Sequence, residues 1–240
     1  MNIFKKKTVF WYLAFILGIM LAAWAYRISI RNGAAGLEQF YETELQEFII
    51  IAMVLPIFSG IVLKKIMDYM DYSKILNMGS RCKWQNKLMK ELIKVSVKYA
   101  FIILVPMSMT TFILSNNVRN MAEVIYFIFS YILYIVVLTI MATIIMEIKI
   151  CWNNDVVAVL SVVVIAFIPY VFTKVFVKWK IVTFSQLINS SYLFENGKYM
   201  WIKHEAICLG ALILLAIIYK FSKGQINKKD FLWRQSENEN

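Results

Sequence analysis

Six apolar runs, each about 20 residues long and nearly free of charge, occupy roughly 9–26, 47–63, 97–114, 122–146, 156–173 and 206–221 of this 240-residue chain. A backbone inside lipid finds no water to bond to. A run of this length is therefore stable there as a helix that satisfies its own N–H and C=O groups. The expectation is an all-α membrane protein with six transmembrane helices. Hydrophobic residues make up 60% of the chain and charged residues 17%, so little polar chain remains for a second folded domain. One six-span domain is expected over 1–221, followed by a polar tail over 222–240. The first run follows Lys5, Lys6 and Lys7, and Ala23-Trp24-Ala25 resembles a signal cleavage site. The stretch from Thr8 to Tyr26 is longer than a signal core, which predicts a retained span.

The basic residues orient the bundle. The 35 residues from Lys64 to Lys98 carry nine of the 26 Lys and Arg, against Asp68, Asp71 and Glu91. With the N-terminus in the cytosol, the inner segments hold 18 basic residues: 3 at the start, 9 in this loop, Lys149, and 5 from Lys220 onward. The outer segments hold 8, made up of Arg27 and Arg31, Arg119, and 5 over 174–205. The positive-inside bias places both termini in the cytosol. Glu38, Glu42, Glu44 and Glu47 in the first outer loop agree with that orientation. The net charge of +11 reads as topogenic and lipid-facing, and nothing else in the chain points to nucleic acid.

What the spans lack narrows the function. They carry almost no ionisable residue, with Glu123 and Glu147 at the two ends of the fourth. Charge inside a bilayer costs at least about 2.5 kcal/mol per group and persists where it does a job, so ion-coupled transport is disfavoured. The single histidine, His204, falls in the outer segment, which removes His-based catalysis and metal pairs from the membrane. No phosphate-cradling Gly-x-x-x-x-Gly-Lys loop is present. Cys82, Cys151 and Cys208 match neither a disulfide framework nor a zinc site. The chain is expected not to be an enzyme and to hold no metal or cofactor.

What the spans contain suggests packing and shape. Ala14, Gly18 and Ala22 put small side chains on one face of the first span, a candidate dimer seam or a packing face for the chain's own helices. Pro56, Pro106 and Pro169 each remove a backbone donor inside a span and are candidate kinks. Ser59, Ser108, Thr110, Thr111, Ser130, Thr139, Thr143 and Ser161 either line a weakly polar path or bond back to their own helices. The outer segment 174–205 is rich in aromatics, and Trp179, Phe184, Tyr192, Phe194 and Trp201 mark a candidate gate or interface built from interfacial or re-entrant helices.

The basic loop is patterned. Asn77-Met78-Gly79-Ser80 reads as a break, with Ser80 able to cap the helix that follows. Lys83, Lys87, Lys90, Lys94 and Lys98 then recur at helical spacing, and Trp84, Leu88, Leu92 and Val95 fall on an adjoining stripe. That pattern predicts an amphipathic cytosolic helix leading into the third span. Five lysines at about 1 kcal/mol each suffice to hold such a helix on an anionic leaflet.

This layout resembles the permease subunit of ABC-2-type exporters, and is most similar to small six-span Firmicute permeases linked to export of, or immunity to, peptide antibiotics. Gly79-Ser80-Arg81 stands where that family has a small residue, Ser/Thr and Arg in its coupling segment. The chain departs from the commoner pattern in lacking a proline there and in the outer segment. The resemblance implies a permease of the bacterial plasma membrane that moves a peptide or amphiphile outward. It also implies a second copy or related permease, and a separate ATPase subunit that carries ATP and Mg. Met78, Gly79, Ser80, Arg81 and Trp84 would couple the two subunits. The alternative is a non-transporting membrane sensor or immunity protein that binds a peptide.

Overall fold

A computed structural model describes residues 9–32, 49–70, 75, 80–114, 121–175, 194–195 and 198–228. Six helices occupy them. They are α1 (Val9–Asn32), α2 (Ile50–Tyr69), α3 (Arg81–Leu114), α4 (Met121–Trp152), α5 (Asp155–Val175) and α6 (Trp201–Lys228). Five of these, α2 to α6, are long and apolar enough to cross a membrane, while the apolar part of α1, Val9–Trp24, is shorter. The chain is thus a helical, multi-pass membrane protein by length and composition.

Successive helices run in alternating directions. The N-termini of α1, α3 and α5 therefore gather with the C-termini of α2, α4 and α6 at one end, here the basic end. The centre is built from α2, α3 and α4: 61% of the most apolar stretch of α2 and of α4 is buried, against 17% for α5 and α6. Inward-facing Phe58, Leu63, Leu88, Tyr99, Ile103, Tyr134, Val137 and Met141 fill the space between them. The faces that α5 and α6 leave uncovered are continuous apolar surface, as expected of helices whose surroundings are as apolar as their side chains.

Each of the prolines with described surroundings is absorbed differently. Before Pro56 the helix widens into a π-turn over Ile50–Val54, closed by the Leu55 N–H bonding the Ile50 carbonyl. Pro56 has no N–H and its ring crowds the carbonyl four residues back, and a widened turn relieves both problems. The Tyr99 hydroxyl of α3 then donates to the Val54 carbonyl at 2.7 Å, where the π-turn meets the α-helix.

Pro106 sits inside α3 and leaves the Ile102 carbonyl without its intrahelical donor. That oxygen lies 2.4 Å from the point a Cβ on Gly18 would occupy. Only a residue with no Cβ lets α1 approach this closely, and a Cα–H contact to the carbonyl is the expected result. Ala14 and Ala22 are buried on the same face. The stripe suggested for a dimer seam is therefore spent inside the chain, where α1 makes its main contact with α3. Gly60 plays a similar part on α2, because the Phe10 ring of α1 fills the space its side chain would need.

Most of the hydroxyls bond back to their own helices. Ser108, Thr110, Thr139, Thr143 and Ser161 donate to carbonyls three or four residues earlier at 2.7–2.9 Å. Ser59 and Ser130 are buried with no partner among the described residues, and the Thr111 side chain lies outside them.

The helices run past the ends of the apolar runs, and two segments differ most from the sequence reading. α6 begins at Trp201 and continues to Lys228, past both ends of the run drawn at 206–221. In the outer segment the described residues form a two-stranded antiparallel pair, Phe194–Glu195 with Lys198–Tyr199, where short helices were expected.

Replacing Gly18 by leucine drives side-chain atoms into the Ile102 carbonyl and is expected to cost about 1–3 kcal/mol of stability. It should lower the thermal midpoint of the detergent-solubilised chain. Gly210→Ala, at a position with open space around it, should leave that midpoint unchanged or raise it. A Gly18→Leu protein as stable as the parent would refute the close approach of α1 to α3.

Candidate functional site

The basic end is assembled from the last turn of α2 and the first half of α3. Ser80 accepts a hydrogen bond from the Lys83 N–H at 3.3 Å and so caps α3, as its position before the helix suggested. From there Lys83, Lys87, Lys90, Lys94 and Lys98 are all exposed, while Trp84, Leu88, Leu92 and Val95 are all buried. The predicted amphipathic helix is not a separate element. It is continuous with the third span, in one helix of 34 residues. At about 1.5 Å per residue that is roughly 51 Å, against about 30 Å of hydrocarbon, so some 20 Å of α3 extends beyond the bilayer core.

This extension is braced on both sides. The Trp84 indole N–H donates to the Tyr69 carbonyl at 2.7 Å, satisfying an acceptor at the C-terminus of α2 that the helix itself cannot pair. One turn further, Glu91 receives Lys65 of α2 at 2.8 Å and Lys94 of its own helix at 2.7 Å. Those two ammonium groups, Lys65 above all, hold the Glu91 carboxyl down to about 2, so it stays ionised. The Lys65 ammonium also lies 5.5 Å from the centre of the Tyr69 ring.

On the opposite side of α3 a buried polar chain reaches α6 and α4. The Gln85 amide donates to the Ser222 hydroxyl at 2.9 Å, and Ser222 donates to the Glu147 carboxylate. Gln85 and Ser222 are fully buried. The Tyr219 hydroxyl donates to Asn86 one residue on. Ser222, assigned to the start of the tail from sequence, is thus part of the bundle. Glu147, at the end of the fourth span, joins this chain as the acceptor.

The α4–α5 turn closes the basic end. Asn153 adopts a left-handed conformation with φ of 49°, which Asn tolerates, and Asn154 caps α5 by accepting from Val156 and Val157 at 3.0 and 3.2 Å. Lys149 is buried and spans the turn, 2.7 Å from Asp155 and 3.0 Å from the Asn153 side chain.

Between α1, α2 and α3 the basic end opens into a cavity of about 650 Å³. Phe10 and Trp11 contribute from α1, Lys64, Lys65 and Asp68 from α2, and Glu91, Lys94, Lys98 and Phe101 from α3. A second cavity of about 500 Å³ lies between α3 and α6, next to Asn86, Met89, Lys90 and Tyr219.

The candidate coupling residues fare unequally. Met78 and Gly79 lie outside the described residues, Ser80 is exposed, and Arg81 is half-buried at the start of α3. Trp84 is buried against α2, so its part is to position the segment and not to touch another protein. Of the outer aromatics, Trp179, Phe184 and Tyr192 lie outside the described residues, Phe194 is in the strand pair, and Trp201 is exposed at the start of α6. Pro169 is half-buried inside α5.

His204 departs most from expectation. It is fully buried in the first turn of α6, where its Nδ1 meets the Tyr199 hydroxyl at 2.8 Å and its ring packs among Tyr126, Phe129 and Tyr199. Its single occurrence beside Tyr199 gave no sequence signal of burial. The strand pair did leave one, since Asn196-Gly197 between two aromatic-containing dipeptides is a hairpin pattern. No group of His, Cys, Asp or Glu able to hold a metal ion occurs among the described residues.

Trp84→Phe keeps an aromatic ring but removes the donor to the Tyr69 carbonyl, and Ser222→Ala removes a hydrogen-bond partner from both Gln85 and Glu147. Each is expected to cost about 1–3 kcal/mol, read as a lower midpoint by circular dichroism in detergent. Lys87→Gln on the exposed stripe should stay within about 0.5 kcal/mol of the parent. Equal effects at Trp84 and Lys87 would contradict the bracing role.

The chain matches no protein-family model, no curated protein and no solved structure.

Proposed function

We propose that the chain is the membrane-spanning permease subunit of an exporter, moving a peptide or amphiphile outward with energy from ATP hydrolysed in a separate subunit. The observation that carries this reading is the construction of α3. It is a single helix of 34 residues whose lysine-faced end projects past the apolar run and is tied to α2 and α6. A force applied near Arg81 travels along that helix into the centre of the bundle without crossing a joint. A chain with no phosphate-binding loop of its own needs such an input if it does work.

In this reading the basic end faces the cytosol of a bacterial cell, both termini lie there, and the ATPase docks against Met78, Gly79, Ser80 and Arg81. Trp84 holds that segment in place from behind. The ATPase supplies ATP and Mg, and the permease chain supplies neither. A second permease pairs through a face other than Ala14, Gly18 and Ala22, since these are covered by α3. The opposite face of α1 keeps Tyr12, Phe15, Ile16 and Ile19 exposed. The competing reading, a non-transporting sensor or immunity protein, needs no such partner.

Co-expression of the tagged full-length chain with an ABC ATPase encoded beside it tests the proposal. The parent chain should retain the ATPase through purification in mild detergent. Combined Gly79→Leu and Arg81→Glu should reduce recovery of the ATPase at least tenfold while membrane insertion is unchanged. Equal recovery with the parent and the double variant would remove the docking assignment, and no recovery with either would favour the sensor or immunity reading.

A further inference from the structure

The cavity between α1, α2 and α3 is amphipathic along its length. Its polar wall presents Lys64, Lys65, Lys94 and Lys98 against Asp68 and Glu91, four positive charges to two negative, a formal balance of +2. Its apolar wall presents Trp11, Phe101 and Ile102 together with Phe10, Ile61 and Val95. The change from one wall to the other follows the edge of the membrane-spanning runs. On α2 the last apolar residue before the charges is Leu63, and on α3 the apolar run proceeds from Tyr99. The site thus straddles the level at which lipid headgroups meet acyl chains, with an indole at that level.

The site is built and not merely lined. Glu91 fixes Lys65 and Lys94 on one carboxylate, holding two ammonium groups from different helices at the cavity. Phe10 is locked against Gly60, where any side chain on α2 would displace it. A volume of about 650 Å³ falls within the roughly 300–1,000 Å³ of small-molecule sites.

We propose that this cavity binds an anionic phospholipid of the leaflet at the basic end. Its phosphodiester sits among Lys64, Lys94 and Lys98, and an acyl chain lies along Trp11, Phe101 and Ile102. Basic pockets between membrane helices select such headgroups because phosphate brings the negative charge that neutralises the lysines, while the glycerol chains cover the apolar wall. A zwitterionic lipid satisfies the apolar wall and not the charge. Free phosphate satisfies the charge and leaves the wall exposed. The proposal rests on the membrane reading alone and not on what the chain exports or whether it exports anything.

The test is native mass spectrometry and thermal melting of the full-length chain in dodecyl maltoside. It is titrated with dioleoylphosphatidylglycerol, dioleoylphosphatidylcholine or inorganic phosphate. Phosphatidylglycerol should bind at least tenfold more tightly than phosphatidylcholine and raise the midpoint, with inorganic phosphate doing neither. Lys64→Gln with Lys98→Gln should weaken phosphatidylglycerol binding roughly 30-fold, the effect of two lysines at about 1 kcal/mol each. Lys83→Gln with Lys87→Gln, the same charge change away from the cavity, should leave binding within about threefold of the parent. Trp11→Ala should weaken it while the preference for the anionic lipid remains. Equal binding of the two lipids, an equal loss in the two lysine pairs, or a rise in midpoint with inorganic phosphate would each overturn the proposal.

Discussion

In lipid a helix has no solvent to pair its backbone, so every interruption of its hydrogen bonds must be repaired by a neighbour. The freed carbonyl of Ile102 is the point on which the arrangement of α1 depends. Pro106 removes the ordinary intrahelical donor to that oxygen, and Gly18 brings the backbone of α1 against it. Because apolar side chains gain nothing from leaving lipid for one another, helices associate where backbones approach closely or polar groups pair. Ala14 and Ala22 continue the close approach above and below Gly18, and Gly60 admits Phe10 on the adjoining helix. The close approach of α1 to α3 is thus centred where a proline has removed a carbonyl's usual donor, and Phe10 on Gly60 secures its other neighbour.

The same rule accounts for the rest of the bundle. At Pro56 the repair is local, through the π-turn over Ile50–Val54, with Tyr99 reaching across from α3 to the Val54 carbonyl. At the C-terminus of α2 the repair is the Trp84 indole on the Tyr69 carbonyl. At the basic end, α3, α6 and α4 are joined by side chains instead, through Gln85, Ser222 and Glu147. These few polar contacts give the association of otherwise interchangeable apolar helices its register, because each has one position at which its groups are satisfied and a shift of a turn would leave them buried and unpaired.

Features written in a single periodicity were legible before the structure was known. The six helices followed from run length, and the lysine and apolar stripes of α3 followed from steps of three and four residues, down to the Ser80 cap. Features that depend on two distant segments were not. A stripe of alanine and glycine states that something comes close and not what, and here the partner was α3 instead of a second copy. Trp84 read as an apolar stripe position and, through the family resemblance, as a coupling residue; its bond to a carbonyl on α2 was not legible because the two residues lie on different helices. Ser222 fell in a polar tail by composition and His204 in a loop, yet both are buried because a helix continued past the apolar run that defined it. The strand pair at Phe194–Tyr199 carried a readable Asn-Gly signal that the aromatic content of the segment obscured.

The bracing of α3 also limits how the bundle can change shape. A displacement at Arg81 is carried to α2 through Trp84 and Lys65, to α6 through Gln85, and to α1 through the contact at Gly18. Those helices move with α3 or the buried polar groups between them separate at a cost of about 1–3 kcal/mol each. α5 is joined differently. It meets the bundle along Ala158, Val162 and Ala166, all fully buried, all small and apolar, and spaced four residues apart on one face. That face is apolar, and the capped turn at Asn153 and Asn154, with Lys149 on Asp155, fixes the N-terminal end of α5. A tilt of α5 against the bundle therefore disturbs apolar contacts along that face, whereas a shift of α2 or α6 against α3 separates paired polar groups.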